Sequence, residues 1–144
     1  MSKNVVILVL VAVIVGASGA YVFARQPEKR RAKIDGTVYV LPKEFLVNLH
    51  DGRYARLNVA LVLDKDQPIG EDGHGGARPP EGFGELAQEA VVRDIVTDVL
   101  TDENGDDLIS SSGRARIKAT ILERIKRTTD VRAEEVLITD VAVQ

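Results

Sequence analysis

The chain has 144 residues, 19 basic against 22 acidic, for a formal charge of −3. It suits one domain with an appendage rather than two domains. The acidic balance and the absence of tryptophan argue against a nucleic-acid partner, which would want a basic stripe and stacking platforms. With no cysteine, a disulfide framework, a zinc-thiolate site and a thiol nucleophile are all excluded.

Val5 to Ala24 is an uncharged run rich in Val, Ile, Leu and Ala, long enough as a helix to span about 30 Å of hydrocarbon. Its length favours a membrane anchor, since the apolar region of a cleaved signal peptide, the alternative, is shorter. Within it Ala12, Gly16 and Ala20 recur every fourth residue, a small-residue face on which two helices can pack closely in lipid. Residues 1–24 are therefore expected to be a short tail and a transmembrane helix. Residues 25–36 form a charged linker carrying Arg25, Lys29, Arg30, Arg31 and Lys33, a cluster suited to anionic headgroups. Only Lys3 precedes the helix, so the positive-inside rule would place the larger part in the cytoplasm.

Residues 37–144 read as a small α+β domain. Thr37–Leu41 is a short strand ended by Pro42. Glu44–Leu49 alternates, with Phe45, Val47 and Leu49 on one face. Asp51-Gly52 is a hairpin turn signal, and the following strand runs from Arg53 to about Leu63. Ala55, Leu57, Val59, Leu61 and Leu63 share its buried face, while Tyr54, Arg56 and Asn58 share the other. Asp64 to Gly84 is a Pro- and Gly-rich loop around His74. A helix is expected over Glu85–Thr101, with Leu86, Ala90, Val91, Ile95 and Val99 in its apolar stripe. Asp102–Ser112 is a polar connection. A second helix runs from Gly113 to Thr128 on Ile117, Ile121 and Ile125, capped by a serine of the 110–112 run. Glu134–Val143 is a closing strand. This order suggests helices layered on a mixed sheet.

Catalytic constellations are thin. His50 and His74 are the histidines, no Gly-x-Ser-x-Gly elbow or phosphate-binding glycine loop is present, and the serines lie where capping accounts for them. The better motif is the stretch 102–113, with Asp102, Asn104 and Asp106 at the first three ligand positions of a calcium-binding loop. Glycine is missing from the sharp turn, where Asp107 stands, and Gly113 stands where a bidentate Glu should complete the shell. A calcium-responsive, membrane-anchored binding module is the alternative that this stretch leaves open.

Three segments carry a resemblance. They are Phe45-Leu46-Val47-Asn48-Leu49 followed by Arg53-Tyr54-Ala55-Arg56-Leu57; Val92 to Leu100 followed by Asp107-Leu108-Ile109 and Gly113; and Val136 to Gln144. In this order, behind an N-terminal anchor, they resemble the FliL family of bacterial flagellar basal-body proteins. Ala55 departs from the pattern, which has a larger apolar residue there, and the loop 64–84 is long. The resemblance implies a domain like the stomatin/prohibitin (SPFH) fold on the extracytoplasmic side of the inner membrane, against the charge count. It also implies no catalytic residues and no cofactor, self-assembly into a ring or partial ring, and partnership with the stator proteins MotA and MotB. Tyr54, Arg56 and Asn58 are the candidate partner surface, together with the loop around His74.

Overall fold

A computed structural model describes residues 34–70 and 81–144. Four strands and three helices follow in the order β1 (Thr37–Val40), β2 (Phe45–Asn48), β3 (Tyr54–Leu63), α1 (Glu89–Thr101), α2 (Gly105–Ile109), α3 (Ser111–Thr128) and β4 (Ala133–Val143). The strands form one antiparallel sheet, not the mixed sheet expected from the element order, because β1, β2 and β4 all run opposite to the central β3. Because β3 has two edges, its length decides the topology. On one edge it pairs with β4 from Ala55↔Val143 to Leu63↔Ala133. Its other edge is divided, with Val40 opposite Ala60 in β1 and Phe45 opposite Leu57 in β2. β1 and β2 are thus two halves of one interrupted strand. Pro42, which has no N–H to donate, stands in the gap.

The alternation read from the sequence describes the core face correctly: Ala55, Leu57, Val59, Leu61 and Leu63 are all fully buried. They meet the stripes of the helices, Val92, Ile95, Val96, Val99 and Leu100 from α1, Leu108 from α2, and Ile117, Ile121 and Ile125 from α3. The hairpin, the closing strand and the serine cap also form as expected. Ser110 is the residue that caps α3, its hydroxyl accepting from the Gly113 N–H at 3.0 Å.

Three local expectations need correction. The first helix begins at Glu89 rather than Glu85, because Leu86 pairs with Ile69 in an isolated bridge and Gln88 takes a left-handed backbone (φ 61°). Its buried stripe is rotated accordingly, so Ala90 and Val91 face outward and Glu89 faces in. The polar connection 102–112 holds α2, anchored by fully buried Leu108, and α3 starts at Ser111. A polar stretch hides a one-turn helix when a single apolar residue secures it.

No helix among the described residues is long and apolar enough to cross a membrane. The apolar run Val5–Ala24, with Ala12, Gly16 and Ala20, lies outside the described residues, as does His74.

Candidate functional site

The side of the sheet turned away from the helices is the principal candidate surface. An antiparallel sheet with one wet face ordinarily alternates apolar-in and polar-out. Here Tyr54, Arg56 and Asn58 do point outward, as the sequence suggests, but they share their face with apolar residues. Leu46, opposite Arg56, is 71% exposed, and Tyr54 is 58% exposed. Farther along, Val38 and Val40 are exposed opposite Val62 and Ala60. The sequence offered a signal for these residues, since Val38, Val40 and Leu46 are the out-of-phase apolar positions of their strands.

The face divides into two parts. At one end a groove of about 350 Å³ is lined by Glu44, Leu46, Tyr54, Arg56, Ala142 and Gln144. Arg56 approaches Glu44 only to 3.9 Å, with both side chains mostly exposed, so its guanidinium remains available to a partner. Tyrosine, arginine and leucine in a shallow groove are the residue types that carry protein–protein contacts. Asn58 stands apart from this groove. Its amide donates to the Asp140 carboxylate at 3.3 Å, across the bulge where Asp140 adopts φ 52°. That pair forms a polar belt between the groove and the apolar end of the face.

The stretch 102–113 folds differently from a calcium loop. Asp102 caps the end of α1, Asn104 precedes α2, and Asp106 and Asp107 lie within its first turn. Asp106 pairs with Arg53 at 2.9 Å, while Arg116 bridges Asp107 at 2.9 Å and Glu103 at 3.0 Å. No group of three or more metal-ligating side chains is assembled among the described residues. These carboxylates tie α2 to the hairpin and to α3.

The hairpin turn is the hub of that tie. The Asp51 carboxylate accepts from Arg53 Nη2 at 2.7 Å, Arg53 Nε at 2.9 Å and the Gly105 N–H at 2.9 Å. The Arg53 hydrogen bonds, then that from Gly105, hold the Asp51 carboxyl down at about 2. A depressed folded-state value means that the ionised form contributes stability above the ordinary carboxylate range, and that this contribution is lost as pH falls from about 4 to about 2. Asp51→Asn should therefore unfold at lower urea than the native chain at pH 6. The gap between the two should narrow steadily as the titration approaches pH 2. A gap independent of pH would contradict this account.

Another polar cluster is built around buried Glu89. Glu89 is 2% exposed; its Oε2 accepts from the Tyr39 hydroxyl at 2.6 Å and from the Gly84 N–H at 2.8 Å. Tyr39 in turn accepts from the Leu86 N–H at 3.3 Å, and burial, then the Glu89 hydrogen bond, pushes its phenol well up from the ordinary value. This cluster clasps β1 to the segment that enters α1. Arg93 adds to the clasp by donating to the carbonyl oxygen of Lys43 at 2.9 Å while its guanidinium covers the Phe45 ring at 4.3 Å.

A helix-covered antiparallel sheet, a patterned outer face and polar clusters committed to holding the chain together define a small α+β domain. The match to the family described as "Flagellar basal body-associated protein FliL" runs from residue 38 to residue 144, from β1 to the end of the chain. The chain belongs to the FliL family of flagellar basal body-associated proteins. It is also similar to the flagellar protein FliL of Aquifex aeolicus (strain VF5), 26% identical over 93 residues, which cover 62% of this chain and 50% of that relative. The chain spans about half the length of that relative.

Proposed function

We propose that this protein is a membrane-anchored, non-enzymatic scaffold that supports the flagellar motor by binding and stabilising stator units. In this reading Val5–Ala24 is a single-pass anchor in the inner membrane and residues 37–144 are the extracytoplasmic domain, like the stomatin/prohibitin fold. Copies assemble into a ring or partial ring around the stator formed by MotA and MotB, with the helix face of Ala12, Gly16 and Ala20 contributing to self-association. The partner surface is the outward groove of Tyr54 and Arg56, with Leu46 beside them. Asn58 borders it as part of the polar belt. The observation that carries the proposal is the family match over residues 38–144.

A scaffold of this kind acts by differential affinity. It shifts the stator toward the active state only as far as it binds that state better than the resting one. Its removal should lower stator occupancy or activation and leave filament export untouched. A strain lacking the gene should assemble flagella yet swim or swarm poorly, with motor speed falling most at high load. Normal motility at every load, with no stator or basal-body protein co-purifying, would overturn the proposal.

A further inference from the structure

We propose that the apolar end of the outward sheet face, Val38 and Val40 of β1 beside Ala60, Val62 and Leu137, rests on an anionic lipid surface. The proposal depends on reading Val5–Ala24 as a bilayer-spanning helix.

Val38 is 48% and Val40 59% exposed, on a face where a sheet turned to water would carry polar side chains. Ala60 and Val62, between β1 and β4 in the register, are 4% and 2% exposed, and Leu137 stands opposite Ala60. Ala60 and Val62 are thus already covered, and the exposed apolar surface at this end is the strip of Val38 and Val40 on β1, with Leu137 half-buried across β3. It stops at the belt of Asn58 and Asp140, and the groove beyond that belt is lined by charged and polar groups as well as apolar ones.

Nine residues separate Ala24 from Ile34, itself 47% exposed, and a fully extended segment of that length reaches about 30 Å at most. β1 begins three residues after Ile34. The entry to β1, and with it Val38 and Val40, is therefore within reach of a bilayer that holds Val5–Ala24.

Arg25, Lys29, Arg30, Arg31 and Lys33 precede β1 with only Glu28 and Asp35 against them, in a chain whose net charge is −3. Asp35 pairs with Lys65 at 2.5 Å. Glu135, opposite Val62, is the acidic group on this part of the face. A basic segment leading into an apolar strip suits anionic headgroups over a shallow acyl layer, the depth at which amphipathic interfacial helices bury their apolar faces, about 5–10 Å.

The absence of tryptophan makes the test direct. Full-length Val40→Trp and Leu46→Trp, each a single-tryptophan protein, are reconstituted into vesicles of brominated phosphatidylcholine, with and without phosphatidylglycerol. Val40→Trp emission should shift to the blue and fall by about half or more in the anionic vesicles, as expected for a ring at the headgroup–acyl boundary. The fall should be smaller in the zwitterionic vesicles, and Leu46→Trp should stay unquenched in both. Changing Lys29, Arg30 and Arg31 to Gln together should abolish the anionic preference. Val38→Trp repeats the measurement from a second position on the strip. An unquenched Val40→Trp in a chain that still floats with the vesicles after alkaline carbonate would overturn the lipid contact and leave the anchor standing. Blue-shifted but unquenched emission would overturn it in favour of a protein, either a second copy or a partner, on the same face. A chain released by carbonate would overturn the anchor reading itself.

Discussion

Gly113→Ala should destabilise the domain by about 2–3 kcal/mol and lower its melting midpoint by about 10 °C or more. A Cβ at Gly113 would meet the backbone of Asp107, with its carbonyl oxygen at 2.2 Å and its Cα at 2.6 Å. Both neighbours are backbone atoms of α2, and α2 is held by buried Leu108 and by the Arg53 and Arg116 bridges to Asp106 and Asp107. No flexible side chain can move aside. The whole short helix must shift, and it would take the hairpin dock at Asp51 and Gly105 with it. Considered as a helix position alone, the same substitution should gain about 1 kcal/mol, because alanine has the higher helix propensity. The two accounts differ in sign, so a thermal scan followed by circular dichroism separates them. A raised midpoint would show that α2 is free to move.

The second large effect is expected at the centre of the helical stripe. Ile121 is fully buried, between Ile117 and Ile125 one turn away on either side. Ile121→Ala removes three carbons from a layer closed by the sheet below and by α1 beside it, and should cost about 3–4 kcal/mol. Domains of this size are stable by only about 5–15 kcal/mol, so that loss is a large fraction of the total. Val91 supplies the control. It belongs to a helical apolar pattern too, but it is 40% exposed, and Val91→Ala should change stability by less than about 0.5 kcal/mol. Urea midpoints for the two variants should differ clearly. Equal midpoints would mean that the stripe of α3 is not the seat of the core.

The candidate partner surface was partly legible from the chain. Tyr54, Arg56 and Asn58 share one side of β3 by simple alternation, and the structure keeps all three facing outward. What spacing could not convey is that Leu46 joins Tyr54 and Arg56 in one groove while Asn58 pairs with Asp140 outside it. Asp140 reaches Asn58 across the bulged part of the β3–β4 register, and a register irregularity leaves no mark in a run of β-branched residues. The calcium-like spacing of Asp102, Asn104 and Asp106 illustrates the opposite case. Acidic residues at regular intervals fit an ion as well as they fit arginines; here Asp106 meets Arg53 from the distant hairpin, while Arg116 of the neighbouring α3 bridges Glu103 and Asp107, which lie between the calcium-like positions or just after them.

By itself the sequence determined the strands, the two long helices, the cap at Ser110 and the hairpin at Asp51-Gly52. These depend on period, turn chemistry and capping, all of which act within a few residues. Order and spacing of three short segments also sufficed to indicate the FliL family. Tertiary structure decided the rest. It set the start of α1, because Leu86 is drawn into a bridge with Ile69, seventeen residues earlier in the chain. It created α2 by burying Leu108, and it turned Glu89 inward because Tyr39, fifty residues away, brings a hydroxyl to it. It divided one edge of β3 between β1 and β2, and so gathered Val38 and Val40 onto one part of the outward face and Leu46 onto another. Each of these depends on a contact between residues far apart in the chain, and no local propensity records where such a contact will fall.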